Sequence, residues 1–387
     1  MRRVVTDERC AYNPIMPARK SSRREFLTGR SALDAVNDLA PDQGQDPEVP
    51  SVAEPSGDPS VAARDASYLL QISRRAMACE FQIFFNAGQH PHAMEAAVES
   101  LDLVDALEDQ MSVFRDHSEI SRINRFASGQ TVCVERRLFD LLQLAVSLHE
   151  TTEGAFDMTA GPLSRVWGFY RREGRLPAEE EVRTTLQRVG SNWLELDANA
   201  STIRFRQPGM EINLGAIGKG YALDRCADVL QQRGIESYLI HGGQSSILGR
   251  GDRLRVGNAK GWCVALRHPL KPDQRLAEVW LRDRALGTSG AGNQFFHFQG
   301  RRYCHILDPR TGMSAERLLS ATVLAANAAQ ADALSTAFFV MGIDKARDYC
   351  GARPDLAALL VSPGQRAGEI HLDAVNLGDD DWRRLTD

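Results

Sequence analysis

One stretch near the C-terminal end restricts the fold most. Residues 327–342 read as a helix, with Asn327 and Gln330 spaced as a capping box and Gly342 just past the end. Nearly all its residues are apolar, so the helix must be buried on most sides. Asp332, Ser335 and Thr336 stand at i, i+3 and i+4 and therefore share one face. A carboxylate buried beside two hydroxyls needs hydrogen bonds or positive charge to offset its desolvation. Two readings satisfy that: a closed polar network, or an all-oxygen site for a hard cation.

The loop and strand before this helix add a second polar feature. His305-Ile306-Leu307-Asp308-Pro309-Arg310-Thr311-Gly312 places a histidine at a strand end with Asp308 and Thr311 nearby, a composition suited to acid-base work near neutral pH. A structural histidine explains the same letters.

With 387 residues, the chain is long enough for one large domain or two medium ones. A net charge of −5 and scattered Lys/Arg pairs argue against nucleic acid as a partner. Seven cysteines, none in a C-x-x-C pair, read as free thiols rather than a disulfide framework or zinc site. No apolar run reaches the length of a membrane span, so no integral membrane segment is expected.

Residues 1–66 are rich in Pro, Gly, Ser, Asp and Gln, a composition that cannot bury enough surface to order itself, and they are expected to form a disordered tail. Ser22-Arg23-Arg24-Glu25-Phe26-Leu27 resembles a twin-arginine export motif, but Arg30, Asp34 and Asp38 interrupt the apolar segment such a signal requires. It reads as a decayed or atypical signal.

Residues 67–387 form the expected globular domain. Strands are expected at 68–73 and 80–85 around Met77, and amphipathic helices at 92–111 and 136–150. Between those helices lies a polar turn in which Ser118 caps a short helix ending near Asn124. Gly154-Ala155-Phe156-Asp157 forms a small-residue loop that allows close approach to a ligand, with Asp157 as an acceptor for an amino group or ribose. Residues 210–232 read as strand, glycine-rich turn and helix, with Lys219 at the helix start, an arrangement that suits a phosphate or pyrophosphate. A strand at 237–241 ending in Gly242-Gly243 suggests a crossing into a helix, and Thr288-Ser289-Gly290 a hydroxyl-bearing loop. Strands are further expected at 262–267, 277–281, 294–298 and 303–307, then a helix and a strand within 343–361.

Taken in order, the blocks at Met77, Ser118 to Asn124, Gly154 to Asp157, Leu214 to Asp224, His305 to Gly312, and Asp332 to Thr336 resemble the ApbE-type flavin transferases, the FAD:protein FMN transferases. The resemblance spans roughly residues 68–362. It implies a mixed α+β (α/β) fold of two lobes with mixed sheets and FAD bound between them. It also implies Mg²⁺ held by Asp332, Ser335, Thr336 and the backbone carbonyl of Ala216, against the FAD pyrophosphate. Met77, Phe114, Ala155, Phe156, Asp157, Asn213, Lys219 and Ile306 match flavin-contacting positions.

The activity implied is transfer of FMN from FAD to a Ser or Thr hydroxyl of an acceptor protein, releasing AMP. His305 would be the base and Asp308 its orienting group. With water as acceptor the same site would be an FAD pyrophosphate hydrolase, and without turnover a flavin-binding protein. The family works mostly outside the cytoplasm; a non-working Arg-Arg segment would leave the protein inside. The chain departs from the family pattern at Asn213 (usually Asp), Gln244 (Asp or Asn), Phe114 (Tyr) and Ala291-Gly292-Asn293 (an acidic-aromatic pair). Asn213 keeps an acceptor oxygen and loses a charge.

Overall fold

The computed structural model describes residues 68–253, 261–292, 294–366 and 368–385. The expected tail, the Arg-Arg segment, Cys10 and Asn293 lie outside the described residues.

The chain opens with a hairpin of β1 (Leu69–Ala76) and β2 (Cys79–Asn86), then α1 (Ala93–Met111) and α2 (Glu119–Phe126). Next come β3 (Val132–Cys133), α3 (Arg136–Thr151), α4 (Gly161–Val166) and α5 (Glu179–Leu186). The middle of the chain supplies β4 (Leu194–Asp197), β5 (Thr202–Phe205), α6 (Gly218–Gln232), β6 (Tyr238–Gly242) and β7 (Ser246–Arg250). It continues with β8 (Trp262–Arg267), β9 (Arg275–Leu281), β10 (Arg284–Gly290), β11 (Phe295–Phe298) and β12 (Arg301–Cys304). The last part holds β13 (Ser320–Ala325), α7 (Ala328–Met341), α8 (Ile343–Gly351), β14 (Ala357–Pro363), β15 (Ile370–Val375) and β16 (Trp382–Arg384).

Eight strands form the main sheet in the order β1-β2-β6-β7-β10-β13-β14-β15. Each neighbouring pair is antiparallel, as are the pairs in the three smaller sheets, so the expectation of mixed sheets is corrected. The cause is the connections: Gly242-Gly243 turns directly into β7 as a hairpin rather than crossing into a helix. Thr288, Ser289 and Gly290 belong to β10 rather than to a loop.

Both faces of the sheet are covered, which explains why β2 and β6 are apolar on consecutive residues. Alternation along β7 puts Ser246 and Gly249 on opposite faces. Ser246 meets α7, and Gly249 lies against Leu281 of β9. The helices thus cover one face while β16-β9-β8 covers part of the other. The largest apolar cluster joins α1, α3, α6 and α7 to the helix-side face of the sheet. A smaller one, Leu163, Trp167, Phe169, Tyr303 and Leu307, packs β12 and the loop after it against α4.

Residues 210–214 form no strand, contrary to expectation. Their backbone is satisfied elsewhere: Asn124 both donates to Ile212 O (2.9 Å) and accepts from Ile212 N (2.8 Å), and Asn213 N donates to Met158 O (2.7 Å). Cys79, Cys133, Cys226, Cys304 and Cys350 are free thiols, as expected.

Candidate functional site

Helix α7 is fixed at its start by two acceptors. Asn327 caps it through Gln330 N (2.9 Å), and Asp224 of α6 takes Ala328 N and Ala329 N at 2.7 and 2.9 Å. The helix then runs against bare backbone on both sides. A Cβ at Gly220 would lie 2.0 Å from Ala328 O, and one at Gly287 2.4 Å from Ala331 O. This close approach brings Asp332 into the joint between α6, β7 and β10.

Asp332 is 6% exposed. Its Oδ2 accepts from Gly220 N at 2.7 Å and its Oδ1 from Ser246 Oγ at 2.6 Å. Burial pushes its pKa up, and the Lys219 ammonium acts in the opposite direction. Ser335 Oγ donates to Asp332 O (2.8 Å), and Ser289 Oγ lies 2.9 Å from Ser335 Oγ and 3.0 Å from Thr336 Oγ1. The three side-chain oxygens foreseen on one helix face are therefore joined by two serines, Ser246 and Ser289, that spacing along the helix does not reveal.

The start of α6 supplies the next group. The Gly220 N–H is one of the first-turn donors that a helix leaves without an intrahelical acceptor, and Asp332 accepts it. Lys219 donates to Ser245 Oγ in the β6–β7 turn, and its charge reaches Asp332, Cys79 and His305. Asn213 Oδ1 accepts from Gly215 N (2.9 Å), holding the glycine turn that precedes the helix. A carboxylate at this position would make the same bond, so the local turn survives the exchange.

His305 extends the β11–β12 ladder by one rung. Its N–H donates to Gln294 O at 3.1 Å, and its Nδ1 lies 3.1 Å from the same oxygen. Burial and the Lys219 charge lower its pKa, against the opposing effect of the Gln294 carbonyl, so the ring is neutral at pH 7. Asp308 is placed differently from expectation. Its carboxylate accepts from Arg310 N, Nε and Nη2 at 3.0, 2.8 and 2.8 Å, while its carbonyl takes Thr311 N and Gly312 N. The reason is local: the turn brings Arg310, two residues on, around the carboxylate. Orientation of His305 thus falls to Gln294, and Asp308 organises the loop.

The Gly154–Asp157 loop also differs from its expected use. Asp157 accepts from Thr159 N (2.7 Å), Thr159 Oγ1 (2.7 Å), Ser191 N (3.1 Å) and Ser191 Oγ (2.8 Å), and pairs with His149 Nδ1 at 3.0 Å. Its oxygens are taken up inside the protein rather than offered to an amino group or ribose. Burial alone would raise the Asp157 pKa and lower that of His149; their mutual attraction outweighs it, lowering the first and raising the second. Ala155, Phe156 and Ile306 are buried, so the chain's own core holds their side chains.

Two expected flavin-contacting positions are less deeply buried, Met77 partly and Phe114 hardly at all. Met77 and Ala78 form the two-residue β1–β2 turn with φ of 50° and 59°, left-handed values that cost non-glycine residues about 1 kcal/mol each. Phe114 is 68% exposed, with its ring 4.6 Å from that of Tyr170, over which Arg165 sits at 3.7 Å.

A hydroxyl-and-carboxylate cluster, a lysine at a helix start and a neutral histidine suit an enzyme that handles an anionic, phosphate-bearing substrate. Sequence and structure comparisons specify the class further. Residues 77–360 match the ApbE family, and the chain belongs to it. An FAD:protein FMN transferase of Vibrio cholerae serotype O1 is 35% identical over 250 residues, 63% of this chain and 72% of the relative. One from Klebsiella pneumoniae (strain 342) is 31% identical over 276 residues, covering 70% and 83% respectively. Among solved structures, the ApbE protein of Thermotoga maritima superposes with a TM-score of 0.70 at 28% identity, covering 79% of this chain and 96% of that one. The flavin transferase ApbE from Vibrio cholerae gives 0.69 at 28% identity, over 80% and 97%.

Proposed function

We propose that this chain, an FAD:protein FMN transferase, moves FMN onto a Ser or Thr hydroxyl of an acceptor protein, using Mg²⁺ at Asp332. FAD lies between the main sheet with α6 and the smaller body built on Trp167 and Phe169. Its pyrophosphate faces the start of α6 and Lys219, where the helix dipole and positive charge favour an anion.

The observation that carries the reading is the Asp332 carboxylate fixed against the start of α6 by Gly220 N–H, on the same helix face as the Ser335 and Thr336 hydroxyls. Carboxylate, hydroxyl and carbonyl oxygens are the donors Mg²⁺ prefers, so Asp332, Ser335, Thr336 and Ala216 fit it. When bound, Mg²⁺ offsets charge on the pyrophosphate oxygens.

His305 supplies the base. With Nδ1–H given to Gln294 O, the lone pair is at Nε2, which takes the proton of the attacking hydroxyl. The acceptor oxygen bonds to the FMN phosphorus as the bond to the bridging oxygen breaks, and AMP leaves. Lys219 stabilises charge on the phosphate oxygens. Ser245 holds its ammonium in place. Residues 67–387 are assigned to the transferase domain.

The test is incubation with FAD, MgCl₂ and the acceptor modified by the Vibrio cholerae relative, followed by in-gel flavin fluorescence, mass spectrometry and AMP assay. Covalent flavin with one AMP per label is expected. AMP and FMN without any label would instead establish a hydrolase, and an unlabelled acceptor with no AMP would sink the activity.

A further inference from the structure

Phe114 is the exposed end of a stack of side chains. It is 68% exposed, and its ring lies 4.6 Å, centroid to centroid, from that of Tyr170. The Arg165 guanidinium carbon sits 3.7 Å from the centre of the same Tyr170 ring. Neither group can come so near except over a ring face, and one face cannot hold both, so Tyr170 is sandwiched between them. Arg165 is anchored in turn by Glu211, which accepts from its Nε at 2.7 Å and its Nη2 at 2.8 Å. Tyr170 also donates its hydroxyl to Val113 O at 3.3 Å, so it holds the turn at residues 113–114 by both ring and oxygen.

These contacts close a circuit. In the same turn, Ser112 O accepts from Ser118 Oγ at 2.6 Å, and Ser118 caps α2. From the last turn of α2, Asn124 pairs with both backbone groups of Ile212, the neighbour of Glu211. Turn, helix, Glu211, Arg165 and Tyr170 thus brace one another around an exposed ring. The circuit reaches the site at two points. Just before the turn, Met111 Cε lies 3.8 Å from where a Cβ on Gly218 would stand, at the first residue of α6 and beside Lys219. Next to Tyr170, the Phe169 ring lies 6.4 Å from that of His305.

We propose that Tyr170 is a positioning residue for the flavin: backed by Arg165 and Glu211, it holds Phe114 so that the open side of that ring meets the isoalloxazine. A planar ligand on Phe114 extends the series by one member, in the stacked geometry that aromatic pairs prefer. Because the ring is held in advance, binding loses less side-chain entropy. Of the two planar rings in FAD, the flavin is the one placed here, since the circuit reaches His305, which acts at the FMN phosphorus. This inference rests on the transferase reading and adds the residues that fix the flavin ring.

The experiment measures binding alone. Full-length wild type, Phe114→Leu, Tyr170→Leu, Tyr170→Phe and Phe114→Leu/Tyr170→Leu are titrated with FAD, FMN and ADP by calorimetry, without MgCl₂ so that turnover is suppressed. Phe114→Leu and Tyr170→Leu are each expected to raise the FMN Kd about tenfold and to leave the ADP Kd within about twofold. Since Tyr170 acts through Phe114, the double variant should also show about a tenfold rise, where independent residues would give about a hundredfold. Tyr170→Phe keeps the ring and should stay within about threefold of wild type. Melting curves identify the folded variants. Should Tyr170→Leu unfold, Arg165→Met, altered at a half-exposed side chain, takes its place, with about a threefold rise in FMN Kd that is absent in a Phe114→Leu background. An unchanged FMN Kd, a hundredfold rise in the double variant or an equal rise for ADP would overturn the positioning role and leave the transferase reading standing. A wild type that binds neither FAD nor FMN would overturn that reading and this inference with it.

Discussion

Asp332 holds the two sides of the site together, and its environment sets what its loss would do. The carboxylate receives one hydrogen bond on each oxygen, from Gly220 and Ser246, while burial raises its pKa. Asp332→Asn keeps the shape but removes the charge that a cation requires, so AMP release dependent on Mg²⁺ should fall by about 100-fold or more. Steady-state AMP assays across a MgCl₂ titration check this; unchanged activity removes Asp332 from the metal site. His305 makes a separate prediction. Its pKa lies below the usual histidine value, so the base is neutral and active at pH 7 and is lost only as pH falls through that lowered value. The rate should therefore be flat above pH 7 with an acid limb below 6.5. His305→Gln should be slower by about 10²–10⁴ and lack that limb, with FAD binding retained; a variant keeping the limb would assign it to another group.

At the scale of elements, the meeting of α6, α7 and β10 depends on two glycines. Gly220→Ala and Gly287→Ala each push a methyl into backbone atoms that cannot give way, 2.0 and 2.4 Å from the nearest oxygens. Each should cost about 1–3 kcal/mol or more and lower activity further by moving Asp332. Gly351→Ala, which meets nothing within 4 Å, serves as the control; urea melts with equal midpoints for all three would refute the close-approach argument. Helix α7 itself was legible in sequence, from the Asn327 cap to Gly342, because cap and apolar run are local signals. So were α1, whose helical period is regular, and the two strands around Met77. The readings that failed depended on distant partners. Residues 210–214 look like a strand because Met210, Ile212 and Leu214 alternate with Glu211 and Asn213, but Asn124, far away in sequence, satisfies Ile212. Gly242-Gly243 allows either a crossing or a hairpin, and the pairing of β7 with β6 decides it. The site divides in the same way: Asp332, Ser335 and Thr336 are visible from helical spacing, whereas Ser246 and Ser289 join them only through the sheet, and Gln294 meets His305 only through the hairpin.

For the molecule as a whole, the site is built from segments that only the folded chain assembles. The start of α6, the β6–β7 turn, β10 and α7 meet around Asp332, and the proposed site adds the β1–β2 turn and the strand end at His305. An unfolded chain has no comparable array, so FAD and Mg²⁺ should stabilise the native state by mass action. With each ligand at about 100 times its Kd, one binding event adds about 2.7 kcal/mol, or roughly 5 °C in Tm for a domain of this size. The measurement is best made in His305→Gln, which consumes FAD slowly, by calorimetry with FAD alone and with FAD plus MgCl₂. FAD alone should raise Tm through contacts at Lys219 and the flavin positions, and MgCl₂ should raise it further. In the double variant His305→Gln/Asp332→Asn the first increment should persist and the second disappear. That pattern places the cation at Asp332 independently of turnover; a second increment of unchanged size in the double variant would move it elsewhere.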